Sequence, residues 1–135
     1  MLRREVAVFL VVGGITVLID YLSYRLLLLA GLEPVGLAKS LGFIAGTAFA
    51  YVANRSLTFA AQGQPVFGTL WRFGVLYLLT LAANVLVNGL LLQALESRSY
   101  AVQLAFIAAT ATSATLNFVG MKHFVFGAGD LREAA

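Results

Sequence analysis

The sequence predicts an all-α membrane protein with four transmembrane helices, arranged as two parallel helical-hairpin repeats with both termini in the cytoplasm. The first observation behind this prediction is composition: 61% of the 135 residues are hydrophobic and 11% are charged. About a quarter of a soluble domain is charged, and the mean hydropathy here is +0.92. The second is four apolar runs, each longer than the roughly 20 residues that cross a bilayer. The third is a basic and aromatic segment that ends both the second and the fourth run.

The predicted helices follow from where the apolar runs begin and stop. The first covers about residues 6–29, which is too long for the core of a signal peptide. Glycine and proline between residues 31 and 34 end it, because both residue types interrupt helices. The other helices are predicted over about 35–59, 69–95 and 100–126, with polar loops between them. At this length we expect a single four-helix transmembrane domain over residues 1–135.

A repeat relates the two halves of the chain. The segment Asn54–Phe59 ends the second apolar run and Lys122–Phe126 ends the fourth, so that Arg55 and Lys122 stand 67 residues apart. We therefore predict repeats over about residues 5–59 and 72–126. Each repeat has an even number of crossings, which makes the two repeats parallel in the membrane.

Small residues recur every four positions in the second and fourth helices, and this spacing puts them on one face of each helix. They are Ala38, Gly42, Gly46 and Ala50 and, after the shift of 67, Ala105, Ala109, Ser113 and Asn117. Small side chains let helix backbones approach closely in lipid, although such residues are frequent in any membrane helix. We expect the second and fourth helices to pack against each other through these stripes.

Basic residues set the predicted orientation. Four crossings place both termini and the central loop on one side of the membrane. The basic residues of that side are Arg3, Arg4, Arg55, Arg72, Lys122 and Arg132, and those of the other side are Arg25, Lys39 and Arg98. Because basic residues favour the cytoplasmic side, the termini are predicted to be cytoplasmic.

Polar side chains in the first helix are candidate substrate-binding residues. Asp20 and Tyr24 lie one turn apart on one face, and a carboxylate in hydrocarbon is costly unless it is paired, hydrated or protonated. Lys39, which starts the second helix, is a further candidate for substrate binding, and Lys39 and Arg25 are the candidate partners of Asp20. The alternative is a structural cluster of Asp20 with Tyr24, while the two basic side chains extend to the interface.

The third helix has a polar face of its own, formed by Tyr77, Thr80, Asn84 and Asn88. Asn84, Asn88 and, in the fourth helix, Asn117 are further candidates for substrate binding. The alternative for these amides is hydrogen bonding between helices, which membrane proteins also use.

Three basic residues, Arg55, Arg72 and Lys122, lie at the predicted cytoplasmic ends of helices, with the amide of Asn54 beside them. Arginine forks and lysine point charges suit phosphate, so one interpretation is a phosphate-binding rim. The other interpretation is topology alone, which places basic residues at this side of any membrane protein.

Several function classes are excluded by what the sequence lacks. There is no glycine-rich phosphate loop followed by lysine and serine or threonine, and no serine, histidine and acid set that suggests a nucleophile. Asp20 is the only acidic residue deep in a predicted helix, and His123 is the only histidine. We therefore expect no enzyme, no metal and no cofactor, and the scattered basic residues predict no nucleic-acid partner.

Five motifs, taken in order along the chain, resemble those of a known family. They are Phe9–Gly14, Asp20, Asn54–Phe59, Arg72-Phe73, and Asn117-Phe118 with Lys122 and Val125-Phe126. From about residue 4 to residue 126 the chain resembles the GtrA-like family of small four-helix membrane proteins. Leu57 and Met121 stand where that family usually has an aromatic residue and often has an asparagine, respectively.

The resemblance implies a role in cell-surface polysaccharide synthesis, in the cytoplasmic membrane of a bacterium or archaeon. It implies a flippase that moves a polyprenyl-phosphate-linked sugar, such as bactoprenol-phosphate glucose, to the outer leaflet beside a membrane glycosyltransferase. Membrane lipid and the lipid-linked sugar are then the partners, and a parallel homo-oligomer stays open. Two alternatives remain: an adaptor that recruits the glycosyltransferase, and a small multidrug-type proton-coupled exporter that relies on Asp20.

Overall fold

A computed structural model describes residues 1–96 and 98–127, apart from the side chains of residues 35, 36 and 39. This part of the chain is helical, without strands, and the all-α fold class is confirmed. Its α-helices are α1 (Leu2–Leu29), α2 (Val35–Ala53), α3 (Val66–Ala94) and α4 (Ala101–Gly120). Two five-residue π-helical segments continue α2 and α4: the first π turn is Asn54–Thr58 and the second π turn is Met121–Val125.

Within the described residues, three helices are long and apolar enough to cross a membrane. They are α1 with 28 residues, α3 with 29, and α4 together with the second π turn with 25. Three such helices support a multi-pass membrane protein. A fourth crossing, by α2, stays a prediction.

The end of α1 shows how the sequence stops a helix. Gly31 has a φ of 82°, a left-handed conformation that glycine adopts at no steric cost. Its N–H donates to the Leu28 carbonyl oxygen, and the Leu32 N–H donates to the Leu27 carbonyl oxygen, both at 3.0 Å. This Schellman arrangement satisfies carbonyl groups that the end of the helix leaves open. The chain can then turn, and α2 begins after Pro34.

The chain forms two compact units, Met1–Gly63 and Gln64–Ala135. In the first unit α1 packs along α2, and in the second α3 packs along α4; we call these the first and the second hairpin. Asn54 and Met121, which begin the two π turns, stand 67 residues apart. This is the shift that the sequence predicts for the repeat, which stays a prediction that the matched turns support.

In the first hairpin, the small residues of α2 form the contact with α1. All four members of this stripe are buried. A Cβ atom on Gly42 would lie 2.7 Å from the backbone oxygen of Asp20, and one on Gly46 would lie 2.9 Å from that of Thr16. These separations leave no room for a side chain, so glycine is what lets the two backbones approach this closely.

In the second hairpin, the stripe of α4 faces α3. Ala105 and Ala109 are fully buried, and further along α4 the Leu76 side chain of α3 occupies the space that a Cβ atom on Gly120 would need. Each stripe therefore packs against the preceding helix of its own hairpin, and packing of α2 against α4 stays a prediction. Periodicity in a sequence identifies a close-packing face but says nothing about which helix covers it.

The outward faces of the helices carry large apolar side chains. Leu10 and Val17 of α1, Leu78 of α3 and Phe106 of α4 are 63% to 71% exposed. Apolar exposure on this scale marks a surface that contacts membrane. The polar residues that could serve a substrate must therefore be sought in the hairpin interiors and at the helix ends.

Candidate functional site

Asp20 and Tyr24 lie on the face of α1 that contacts α2, and both side chains are half-buried. The Asp20 Oδ1 atom and the Tyr24 Cβ atom each lie 3.0 Å from the Cβ position of Gly42, and the Asp20 Cβ atom lies 3.2 Å from that of Gly46. The structure thus brings these two predicted site residues together, in the contact between the helices. The side chain of Lys39 lies outside the described residues, so its pairing with Asp20 stays a prediction.

Asn54 begins the first π turn, and its side chain bonds inside that turn. It is 2% exposed. Its Nδ2 atom donates to the Ala50 backbone oxygen at 2.9 Å, and its Oδ1 atom accepts from the Thr58 hydroxyl at 2.8 Å. The Phe59 N–H donates to the Asn54 carbonyl oxygen at 2.9 Å, the five-residue spacing that defines a π turn. Asn54 therefore supplies the polar interior of the first π turn.

Arg55 closes the loop that follows the first π turn. Its Nε atom donates to the Ala61 carbonyl oxygen at 3.3 Å, and its Nη2 atom donates to that of Gln62 at 3.0 Å. The Gln62 side chain donates in return to the Ser56 carbonyl oxygen at 3.0 Å. Ala60, inside this loop, has a φ of 48°, a conformation that non-glycine residues rarely adopt. The guanidinium thus holds a tight loop in place.

The second π turn has the same backbone pattern with an apolar interior. Met121 and Val125 stand where the first turn has Asn54 and Thr58, and both are 0% exposed. The Phe126 N–H donates to the Met121 carbonyl oxygen at 2.9 Å. The two turns therefore share a geometry that does not depend on the asparagine side chain.

Lys122 occupies the position in the second π turn that Arg55 has in the first, and its side chain is half-buried. The loop contact at this end of the hairpin is made by Gln64, whose Nε2 atom donates to the Phe126 carbonyl oxygen. Gln64 is not among the predicted site residues, and the polar composition of the central loop is the only sign of it in the sequence.

Two predicted amides join α3 to α4. The Thr80 hydroxyl donates to Asn117 Oδ1 at 2.8 Å, and the Nδ2 atom of Asn84 donates to the Ser113 hydroxyl at 3.0 Å. Asn88, one turn further along α3, is half-buried and makes no hydrogen bond with another described residue. Asn84 therefore joins α3 to α4, whereas Asn88, on the same face of α3, makes no such bond to a described residue.

Arg72 lies near the start of α3, over the ring of Trp71. Its Cζ atom is 5.7 Å from the ring centroid, within the ~6 Å range of a cation–π interaction. The Trp71 ring meets the Phe124 ring of the second π turn edge-on, with centroids 6.1 Å apart and planes at 90°. Arg72 is half-buried, and no hydrogen bond or ion pair joins it to the described part of the chain.

The predicted site residues thus separate by their hydrogen bonds. Asn54, Arg55, Asn84 and Asn117 bond to protein groups within their own hairpin. Arg72 and Asn88 have no hydrogen-bonding partner among the described residues. The described residues also include no group of three or more histidine, cysteine, aspartate or glutamate side chains that could hold a metal ion. The arrangement offers a guanidinium near the start of α3 and an amide further along it, both able to bond to a ligand.

Comparison with known proteins gives one family. The family model described as "GtrA/DPMS, transmembrane domain" matches residues 8–126, which is most of the chain. No solved structure matches the chain.

Proposed function

Because this chain belongs to the family of the GtrA/DPMS transmembrane domain, we propose that it is a flippase for a polyprenyl-phosphate-linked sugar, such as bactoprenol-phosphate glucose. Family membership indicates a part in handling glycosyl-phosphoprenol sugars in membranes, and this observation carries the proposal. The proposed step moves the lipid-linked sugar from the cytoplasmic to the outer leaflet of the cytoplasmic membrane of a bacterium or archaeon. There it serves the glycosylation of polysaccharide or O-antigen, and the proposed partner is the membrane glycosyltransferase that makes the lipid-linked sugar.

The proposed architecture is four crossings in two parallel hairpin repeats, with cytoplasmic termini. The two π turns support it, since Arg55 and Lys122 occupy the same place in each, 67 residues apart. In this arrangement both π turns and the start of α3 lie at the cytoplasmic face. The positive charge of these segments then lies at the cytoplasmic side, where basic residues are favoured.

A sugar crosses hydrocarbon only if other polar groups replace the water around its hydroxyls, because an unpaired buried hydroxyl costs roughly 2–7 kcal/mol. In the proposed mechanism half-buried polar groups within each hairpin supply such hydrogen bonds: Asp20 and Tyr24 in the first hairpin, and Asn88 in the second. The polyprenyl tail stays in lipid, along the apolar outer faces of the helices. The step makes and breaks no covalent bond, so the proposal describes a carrier and not an enzyme.

Leaflet exchange by the purified protein tests the proposal. The full chain is reconstituted into vesicles with a fluorescent polyprenyl-phosphate glucose analogue, and exchange is followed by dithionite quenching of the outer leaflet. We expect the protein to accelerate exchange over protein-free vesicles. Absence of exchange, together with co-purification of a polyprenyl-phosphate glycosyltransferase, would contradict the flippase and favour the adaptor.

The same vesicles test energy coupling. If Asp20 carries a proton during the cycle, an imposed proton gradient changes the exchange rate. If the exchange rate does not change with the gradient, proton coupling is not part of the mechanism. Consumption of the sugar at the outer face then drives net transport.

A further inference from the structure

We propose that Arg72, held over the indole ring of Trp71, is the arginine that binds the phosphate of the lipid, and that Arg55 is a structural arginine. The inference rests on the proposed function for the chemical class of its ligand, a polyprenyl phosphate. It assigns different roles to two arginines that the sequence does not distinguish, and it gives Trp71 a positioning role.

Arg55 is committed to the protein. Its Nε and Nη2 atoms donate to the carbonyl oxygens of Ala61 and Gln62. These two nitrogens form one of the planar forks with which a guanidinium binds phosphate bidentately. To bind a phosphate through that fork, Arg55 would have to release the loop that it holds, including Ala60 with its φ of 48°. Arg55 therefore acts on the shape of this end of the first hairpin.

Arg72 has the opposite character. It is half-buried, yet no described residue accepts a hydrogen bond from its guanidinium or pairs with its charge. A partly desolvated guanidinium whose N–H groups make no hydrogen bond is costly, and an anionic ligand removes that cost. The described residues leave the donors of Arg72 to such a ligand.

The aromatic side chain beside Arg72 favours the depth of lipid phosphates. Trp71 is 57% exposed. Tryptophan favours the interface between hydrocarbon and head groups. With Trp71 at this level, the adjacent Arg72 reaches the phosphate of a lipid while the apolar tail remains in the bilayer.

Trp71 positions the guanidinium. An arginine over an aromatic ring keeps the N–H donors in its own plane available for a phosphate. The ring of Trp71 is in turn held by its edge-on contact with Phe124, 6.1 Å away between centroids. The chain of contacts Phe124, Trp71, Arg72 therefore connects the second π turn to the proposed phosphate site.

Equilibrium binding separates these roles. The full chain is placed in nanodiscs of zwitterionic phosphatidylcholine, and binding of a fluorescent polyprenyl phosphate is titrated. Loss of a hydrogen bond to a charged group weakens binding about ten- to a hundredfold, and we expect this for Arg72→Ala. Arg72→Lys keeps the charge without the fork, so its affinity should lie between those of Arg72→Ala and the wild type.

The Trp71 variants test positioning. Trp71→Leu should weaken binding about two- to fivefold, the range of an exposed cation–π interaction, while Trp71→Phe restores most of the affinity. Arg3→Ala, which removes an exposed arginine near the N-terminus, is the matched control and should bind as the wild type does. A Trp71→Leu variant that binds normally would overturn the positioning role.

Two further ligands distinguish the sources of phosphate. Arg72-dependent binding of phosphatidylglycerol as well as polyprenyl phosphate would support a lipid-phosphate site that reads the head group alone. Saturable binding of inorganic phosphate, with no Arg72-dependent lipid binding, would overturn the lipid assignment.

Failure of this inference differs from failure of the proposed function. If Arg72→Ala binds polyprenyl phosphate as the wild type does, and a folded Arg55→Ala variant does not, the inference is wrong and the flippase stands. If Arg72-dependent binding is present while the wild type fails to accelerate leaflet exchange, the inference stands and the flippase is wrong.

Discussion

The backbone carbonyl oxygen of Asp20 lies 2.7 Å from the point where a side chain on Gly42 would begin. The carboxylate oxygen of the same aspartate lies 3.0 Å from that point. One glycine in α2 therefore sets both the distance between the two helices and the place of the ionisable group in the first hairpin.

Gly42→Ala should destabilise the protein. The added methyl group meets backbone and cannot be accommodated by rotation of a side chain, and overpacking of this kind costs about 1–3 kcal/mol. Unfolding by SDS in mixed micelles, followed by circular dichroism, measures the change. The control is Gly14→Ala in α1, where a Cβ atom would meet nothing within 4 Å. Equal stability of the two variants would contradict the close contact.

Asp20→Asn should lower leaflet exchange without unfolding the protein. Asparagine keeps the shape and one oxygen acceptor but loses the charge, and a lost charge-assisted hydrogen bond to substrate reduces exchange about tenfold or more. An ionisable group is costly to keep in a membrane helix, so we expect the neutral isostere to fold. Arg98→Ala, which removes an exposed basic residue outside α1, should leave exchange unchanged. An unchanged rate in Asp20→Asn would remove this residue from the proposed path.

Asn54→Met alone should destabilise the protein more than Asn54→Met combined with Thr58→Val does. The single change leaves the Thr58 hydroxyl buried without its acceptor, at a cost of about 1–3 kcal/mol. The double change gives the first π turn the pair that the second already has, Met121 and Val125, and removes the unsatisfied hydroxyl. A double-mutant cycle by SDS unfolding measures the coupling. Additive effects would show that the hydrogen bond between Asn54 and Thr58 contributes nothing to the turn.

Asn84→Ala should lower stability, whereas Asn88→Ala should lower leaflet exchange. Asn84 donates to Ser113 of α4 at 3.0 Å, and loss of such a bond between membrane helices costs about 0.6–2 kcal/mol. Asn88 has no hydrogen-bonding partner among the described residues, so its loss should spare stability and reduce leaflet exchange. Stability and exchange are measured on the same preparations. The distinction fails if Asn88→Ala destabilises the protein as much as Asn84→Ala does.

The predicted orientation can be tested by labelling single cysteines, since the natural chain has no cysteine. With cytoplasmic termini, an impermeant maleimide added to intact cells should label Ser99→Cys and should reach Gly63→Cys only after lysis. Both positions are exposed. The reverse pattern would show that the termini face outwards.

The sequence predicts the helices well because the thickness of hydrocarbon dictates the length of an apolar run. The residues that begin α2 and α4 differ from the predicted bounds by at most one position. α1 begins about four residues earlier than predicted, at Leu2, and α3 begins about three residues earlier, at Val66. Pro65 directly precedes α3, and proline is well suited to the start of a helix. The length and composition of the apolar runs are therefore enough to predict where the helices lie.

The roles of individual polar residues could not be predicted in the same way. Asn84 and Asn88 have the same chemistry and lie one turn apart, and only the position of Ser113 on the neighbouring helix distinguishes them. Arg55 and Arg72 both follow from the positive-inside rule. What separates them is a set of loop carbonyl groups around Arg55, which depends on the path of the backbone after residue 59.

Each π turn changes which face of the helix the residues after it occupy. An α-helix advances by about 100° per residue, and one extra residue in a turn shifts the phase of everything after it by about that angle. A wheel drawn through α2 and continued past Thr58, or through α4 and continued past Val125, assigns the aromatic residue that closes each turn, Phe59 or Phe126, to the wrong side. Deleting one residue from either turn would restore the α-helical phase and rotate Phe59 or Phe126 by more than a quarter of a revolution about the helix axis.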